Sequence, residues 1–579
     1  MSLVFRIAYS VLRNTEYAIR LLLIIVPLAF LGLFYFYPLA SILRVSFAPE
    51  ERLELAPLVK LFTQPYLWGV LSFTFWQAAL STLLTLIVGL PGAYLVARYN
   101  FRGKGLLRAL ASVPFVMPTL VVAAAFNALI GPRGWINLGV MRVFGLETPP
   151  LGLSNTLAAI LLAHVFYNTT IVIRLVGDFW ANLDLRLVSV ARTLGASPTR
   201  AFWHVTLPLL MPALLAAALL VFIFDFTSFG VILVLGGPKF ATLEVEIYRQ
   251  MISFFNLPAA AGLAVIQLLC TLVFTVIYSR LSARVTLPLN LRPRQLTQKP
   301  LRSARARLAA IVIIGGLLIL LTAPLIALAA RSFVQLEPHQ GERLALNVSR
   351  FTLDFYRELF VNRRGSAFYA PPITALGNSL GVAALTTLFA LALGLPTALV
   401  LARSPKSAAL LDPLIMLPIG TSAVTLGFGF LVAFARPPFD WRASPLLLPL
   451  AHTLIAFPFV VRSLLPALRG IRPQLRRAAA MLGANPARVF WEIDLPLIGR
   501  AVIVGGAFAF AISLGEFGAT ALVARPEFPT VPVAIYNFLG LPGALNYGQA
   551  LALSTILMIV SAASILAIES VRVGEIGEF

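Results

Sequence analysis

Stretches of 18 or more mostly apolar residues recur along almost the whole of this 579-residue chain, and a helix needs a run of that length to cross a hydrocarbon core of about 30 Å. In lipid every backbone N–H and C=O must be satisfied within the protein, so a segment that crosses alone is helical. The runs fall at 21–44, 70–97, 107–131, 154–177, 207–235 and 258–280, then at 308–330, 377–402, 409–434, 446–468, 496–523 and 547–570. The expectation is an all-α integral membrane protein with about twelve spanning helices. A hydrophobic share of 59% exceeds the roughly 50% of soluble domains, and no sizeable soluble domain fits between the runs. The first run is long, contains Pro27 and Pro38 and lacks a small-residue cleavage site, so it is expected to remain as a span rather than leave as a signal peptide.

The formal net charge of +22 would favour nucleic acid only if the basic residues shared one soluble face. Here they lie between apolar runs. With the N-terminus inside, about 29 of the 45 Lys and Arg fall in cytoplasmic loops against about 16 outside, the bias of the positive-inside rule. Both termini are therefore expected in the cytoplasm. The single cysteine, Cys270, lies within an apolar run and reads as a small core residue; it supports neither a disulfide framework nor a Cys-based metal site. The histidines His164, His204, His339 and His452 are scattered without metal-ligand spacing and read as packing or hydrogen-bonding positions. A membrane enzyme would need convergent His, Asp, Cys or metal-ligand groups at one depth, and the sequence offers no such cluster.

The two halves are copies. Gly89-Leu90-Pro91 through Ala97-Arg98 matches Gly394-Leu395-Pro396 through Ala402-Arg403 at a shift of 305. From the fourth run onward the shift is 288: Ala163-His164 pairs with Ala451-His452, Arg174 with Arg462, Phe229-Gly230 with Phe517-Gly518, and Ile247-Tyr248 with Ile535-Tyr536. The difference places about 17 extra residues between Arg98 and Ala163, and the loop around Gly131 to Leu153 is where we expect them. Each copy crosses an even number of times, so the repeats are parallel, related by an axis along the membrane normal. The lobes are then residues 1–280 and 308–579, joined by a polar cytoplasmic linker, 281–307, that carries Arg284, Arg292, Arg294, Lys299, Arg302, Arg305 and Arg307. Such symmetry suits a transporter with its pathway on the axis.

Between the fourth and fifth runs of each half lies a segment with fixed spacing. The first copy has Gly195, then Val205, then Leu207-Pro208; the second has Gly483, Ile493 and Leu495-Pro496. Gly195 and Gly483 suit the left-handed position that ends a helix, and Ser197-Pro198 and Asn485-Pro486 supply a cap and a first-turn proline for the next. The segment resembles the EAA loop of ABC importer permeases, whose pattern runs Glu-Ala-Ala, three residues, Gly, nine residues, Ile, one residue, Leu-Pro. The resemblance implies that Ser189, Ala191, Gly195, Pro198, Val205, Leu207 and Pro208, with Arg477, Ala479, Gly483, Pro486, Ile493, Leu495 and Pro496, couple the chain to an ATPase. It departs from the pattern where the family often has Glu, six residues before the glycine: Ser189 and Arg477 stand there. The nearby Arg472, Arg476, Arg477 and Arg488 suggest acidic residues in the ATPase cleft instead. No segment reads G-x-x-x-x-G-K-[S/T], and the lone Gly103-Lys104-Gly105 lacks the spacing, so a phosphate-cradling loop is missing and hydrolysis belongs on another subunit.

Two carboxylates fall within apolar runs, Asp225 and Glu516. Intramembrane charges are costly unless satisfied and are functional candidates. In the resembled family the fifth span lines the central pathway, which makes Asp225, Ser228, Phe229, Glu516 and Phe517 candidate pathway residues; hydrogen bonding between neighbouring helices is the alternative. Ser228 is the repeat mate of Glu516, so such a pathway would be asymmetric. The aromatics Phe224, Phe226, Phe229, Tyr248, Phe517 and Tyr536 are either a lining for a flat or cationic solute or plain apolar packing.

The fused layout is similar to the thiamine and iron(III) importer permeases. Phe226-Thr227-Ser228-Phe229, Leu235-Gly236-Gly237-Pro238-Lys239 and Ala241 to Tyr248 look most like the thiamine type, whereas Leu514 to Thr520 looks as much like iron, sulfate or molybdate permeases. The resemblance implies the type I ABC importer permease fold, the bacterial inner membrane, and passage of a small solute from an external binding protein to the cytoplasm. It implies two copies of a cytoplasmic ATPase as partners, with ATP and Mg bound there and no cofactor on this chain. The alternative is a twelve-helix secondary transporter of the major-facilitator kind, which would not be expected to repeat the Gly-to-Leu-Pro spacing.

Overall fold

The computed structural model describes residues 23–48, 63–285, 298–301, 303–335, 351–362, 371–435, 440–442 and 444–573. Among them, eleven helices are long and apolar enough to cross a bilayer, and one sharply bent pair brings the number to twelve if it counts as a span. The first half supplies α1 (Leu23–Phe47), α2 (Pro65–Arg98), α3 (Lys104–Val116), α4 (Thr119–Ile130), α5 (Trp135–Phe144), α6 (Leu157–Asn182), α7 (Leu185–Thr193), α8 (Pro198–Phe226), α9 (Gly230–Leu235), α10 (Leu243–Ile252) and α11 (Leu257–Val285). The second half supplies α12 (Ala304–Arg331), α13 (Thr374–Arg403), α14 (Pro405–Met416), α15 (Ala423–Ala433), α16 (Leu447–Gly470), α17 (Pro473–Met481), α18 (Pro486–Gly515), α19 (Thr520–Val523), α20 (Val531–Gly540) and α21 (Ala544–Val573). His339 and the linker residues Arg292, Arg294 and Arg302 lie outside the described residues.

Several expected spans are interrupted, and proline or a polar side chain stands at each interruption. The run 107–131 divides into α3 and α4 at Met117-Pro118, where proline lacks a donor and pushes the residue before it out of the helical region. The run 409–434 divides after Leu417-Pro418-Ile419-Gly420, with a bend of 98° into α15. The fifth spans end earlier than the hydropathy suggests, at Phe226 and Gly515, and short helices α9 and α19 follow. The extra residues between Gly131 and Leu153 form a helix, α5.

Packing is organised differently from the sequence repeat. One compact unit comprises residues 1–51 and 374–530, the other 52–373 and 531–579. In the first unit, α1 from the beginning of the chain packs on helices of the second half: Phe34 stacks against Phe430, Phe434 and Trp441, and the Tyr35 hydroxyl meets Thr421 Oγ1 at 2.8 Å. The second unit reciprocates. There α12 lays Leu317 and Leu321 among Val96, Leu107, Ala111 and Ile173, Trp135 donates to the Ala327 carbonyl, and a two-residue parallel ladder pairs Tyr99–Asn100 with Lys299–Pro300.

Within each unit the second and fourth spans of one half meet through a glycine. A Cβ on Gly89 of α2 would come within 2.7 Å of the Val172 Cβ, and one on Gly394 of α13 within 2.6 Å of the Val460 Cγ1. Both pairs are repeat mates, and small residues at such crossings let helix backbones approach where lipid gives no hydrophobic drive. We expect Gly89→Val or Gly394→Val to destabilise by about 1–3 kcal/mol, the usual cost of overpacking. Gly377→Ala, where an added Cβ meets nothing within 4 Å, should be tolerated. Thermal unfolding in detergent checks both.

Candidate functional site

The repeated segment between the fourth and fifth spans folds alike in both halves. Helix α7 ends at Gly195 (φ +88°) and α17 at Gly483 (φ +85°), each with a 6→1 hydrogen bond beyond the glycine, Ala196 N–H to Ala191 O and Ala484 N–H to Ala479 O, both 3.0 Å. Only glycine adopts this conformation freely, and it closes the orphan carbonyls of the last turn. The next helix opens on a side-chain cap: Ser197 Oγ accepts from Arg200 N–H and Asn485 Oδ1 from Arg488 N–H. Pro208 and Pro496 follow. They cannot donate to the carbonyls four residues earlier, His204 and Glu492, and the turn before each proline widens: Leu207 N–H reaches Phe202 O and Leu495 N–H reaches Phe490 O. These segments present exposed apolar side chains at mated positions, Leu187 and Leu475, then Leu194 (82%) and Leu482 (89%), with Met481 at 87%. Exposure of that extent on a surface helix marks an interaction surface.

The carboxylates in the fifth spans sit where α8 and α18 break. In the first half Asp225 is buried; Asn168 Nδ2 donates to its Oδ1 at 2.7 Å, and His164 Nδ1 stands 3.4 Å from the same oxygen. His164 Nε2 meets Ser228 Oγ at 2.9 Å, and Gln77 Nε2 donates to the Asp225 carbonyl at 2.8 Å. In the second half Glu516 accepts from the backbone N–H groups of Ala519 and Thr520, both 3.0 Å, and from the Thr520 hydroxyl at 2.7 Å, so it caps α19. His452 sits between Ser513 Oγ and Thr520 Oγ1, both 2.8 Å, with Nε2 3.4 Å from Glu516. Ser513 is the repeat mate of Asp225, and Glu516 that of Ser228. Each node therefore pairs one histidine with one carboxylate, and the carboxylate and a serine are exchanged between two positions one helical turn apart; the second node adds the hydroxyls of Thr520 and, from α13, Thr386, to which Ser513 Oγ donates.

A third cluster lies at the start of α18. Asp494, fully buried, binds Arg403 Nη2 at 2.8 Å from the end of α13 and Arg476 Nε at 2.7 Å from α17. Arg488 pairs with Glu492 at 2.8 Å. Of the four arginines expected to face an acidic cleft, Arg476 and Arg488 are thus engaged within the chain, and Arg472 and Arg477 remain exposed.

The family model of the binding-protein-dependent transport system inner membrane component matches residues 89–287 and again 390–573, together more than half of the chain. The chain belongs to that family. It is a fused two-lobe ABC importer permease and a multi-pass membrane protein, which sets aside the major-facilitator alternative. It is similar to the thiamine transport system permease protein of Escherichia coli, 27% identical over 492 residues that cover 83% of this chain and 85% of the relative. The corresponding protein of Brucella abortus is 28% identical over 481 residues, 82% and 83% of the two chains. A probable ABC transporter permease protein of Sinorhizobium fredii is 27% identical over 512 residues, 87% and 88%.

In this permease the structure brings Asp225, Ser228 and His164 together, and Glu516 with His452, whereas Phe229 and Phe517 are buried beside the breaks. Phe226 is committed to an aromatic cluster with Phe75, Phe222 and Phe274, and Phe229 lies 5.3 Å from the Tyr248 ring. Asn168, Gln77, Ser513 and Thr520 escaped sequence reasoning, although the mating of Ser513 with Asp225 could have revealed the exchange. If the two acid positions are interchangeable, Asp225→Ser and Ser228→Glu should each lower stability by about 1–3 kcal/mol, the penalty for buried polar groups left unsatisfied. The double variant should regain most of that loss by copying the second-half arrangement, as thermal unfolding of the three proteins would show.

Proposed function

We propose that this permease is the membrane channel of an ATP-driven thiamine importer, with α7 and α17 docking two copies of a cytoplasmic ATPase and an external binding protein delivering the solute. Support for the solute comes from the Escherichia coli and Brucella abortus thiamine permeases, which align over more than four fifths of both chains. Support for the docking role comes from the duplicated helix, glycine and capped helix with the exposed Leu194, Met481 and Leu482, a surface that a nucleotide-driven partner would cover. Both termini are placed in the cytoplasm by the distribution of Lys and Arg. On this reading the nodes at Asp225 and Glu516 hold the breaks in the pathway-lining spans, and ATP with Mg is bound by the partner.

The complex of the permease with its partner ATPase and binding protein, reconstituted in liposomes, is expected to take up labelled thiamine only with ATP. Gly195→Trp together with Gly483→Trp should cut ATPase co-purification at least tenfold. ATP-dependent uptake of ferric iron without thiamine would reassign the solute. ATP-independent uptake that ignores both substitutions would overturn the coupling role.

A further inference from the structure

Asp494 joins three helices that a moving docking helix would otherwise leave separate. It lies in the wide turn at the start of α18, fully buried, with Arg403 on α13 and Arg476 on α17 as its partners. Displacing α17 alone would strip a desolvated carboxylate of one of its two guanidinium partners, and removing a partner from a buried ion pair is unfavourable. Helices α13, α17 and α18 are therefore held to move together. The first half keeps only part of this arrangement. Arg98 is the mate of Arg403, but Thr206 stands at the Asp494 position and Val188 at that of Arg476. Arg98 Nη1 is buried there without a hydrogen-bond partner, and with Thr206 and Val188 in place of the acid and the second arginine the first half cannot form the three-residue cluster.

We propose that Arg403, Asp494 and Arg476 form a rigid transmission confined to the second half. Displacement of α17 by its ATPase passes to α13 and α18 as one body, whereas α7 lacks this ionic tie to α2 and α8. Asp494 is thus a positioning residue for the transport cycle, and two identical ATPases would drive two unequally stiff levers. The inference rests on the proposed docking of ATPases at α7 and α17.

The halves of one wild-type protein supply the comparison. In a Cys270→Ser background, spin labels at Gln474→Cys and Leu388→Cys report α17 against α13. Labels at Arg186→Cys and Leu83→Cys report the mated helices of the first half. Distance distributions are measured on the permease alone and on its ATPase complex, nucleotide-free and trapped with ATP and vanadate. The second-half pair should give a distribution no more than half as wide as the first-half pair and unmoved by trapping. Arg476→Ala, which leaves Asp494 its bond to Arg403, should widen it to the first-half value. With the ATPase still bound, the same variant should also reduce stimulation of ATP hydrolysis by the binding protein at least threefold. Val188→Arg with Thr206→Asp should narrow the first-half pair. Equal widths in the two wild-type halves, or an Arg476→Ala variant with unchanged width and stimulation, would overturn the proposal. A wild-type permease that retains no ATPase would refute the docking reading instead, and the widths measured on the permease alone would still decide whether the cluster is rigid.

Discussion

A hydrocarbon surround offers no hydrogen bonds, so wherever a spanning helix stops inside the protein, side chains must supply the missing partners. The ends of α8 and α18 show how this is met. Glu516 gathers the first N–H groups of α19, and Asp225 is held by Asn168 while its carbonyl takes the Gln77 amide. In each half the polar residues come from the second, fourth and fifth spans, so one node both ends a helix and fixes its neighbours. The carboxylates are best understood as parts of these joints. Asp225 bonds across helices to Asn168, whereas Glu516 bonds within its own segment to Ala519 and Thr520.

Duplication set this architecture, and divergence then worked within it. The Gly89–Val172 and Gly394–Val460 crossings are kept with the same chemistry, because an added Cβ would clash in either half. The histidine nodes keep the imidazole, one acid and one serine but not their order, since the acid and the serine can trade places across one turn when both remain within reach of the imidazole; Asn168 and Thr520 have no polar mates, Ala456 and Ile232 standing there. The Asp494 cluster is not kept at all, although Arg98 survives at the mated position. A fused chain is free to let its halves differ in this way, where two identical subunits could not.

Local signals were the most legible in the sequence. Gly195 and Gly483 and the caps Ser197 and Asn485 report backbone needs within a few residues, and each adopted the anticipated conformation; the wide turns before the Leu-Pro pairs emerged only in the structure. Spans were legible in number but less so in continuity, because hydropathy averages over a break: Pro118 and Pro418 carry the signal, whereas the early end at Phe226 depends on Asn168, 57 residues away, and that at Gly515 on the cap that Glu516 makes with Ala519 and Thr520. The Asp494 pairing was hidden for a similar reason. Arg403 is 91 residues distant, and nothing in the local sequence separates a buried Asp494 from a solvated one. The four arginines near α17 looked equivalent on paper, and packing singles out Arg476, which reaches the buried Asp494, whereas Arg488 is exposed and meets its local i,i+4 neighbour Glu492.

The crossing of α1 into the unit built from 374–530 has a consequence for biogenesis. Tyr35 must wait for Thr421, 386 residues later, and at about 5–20 residues per second that is roughly 20–80 s of synthesis. During this interval a tyrosine hydroxyl and the aromatic face of Phe30 and Phe34 have only lipid or the insertion machinery for company. A helix made long before its partners is thus among the last to find its place, and the order of synthesis is not the order of folding.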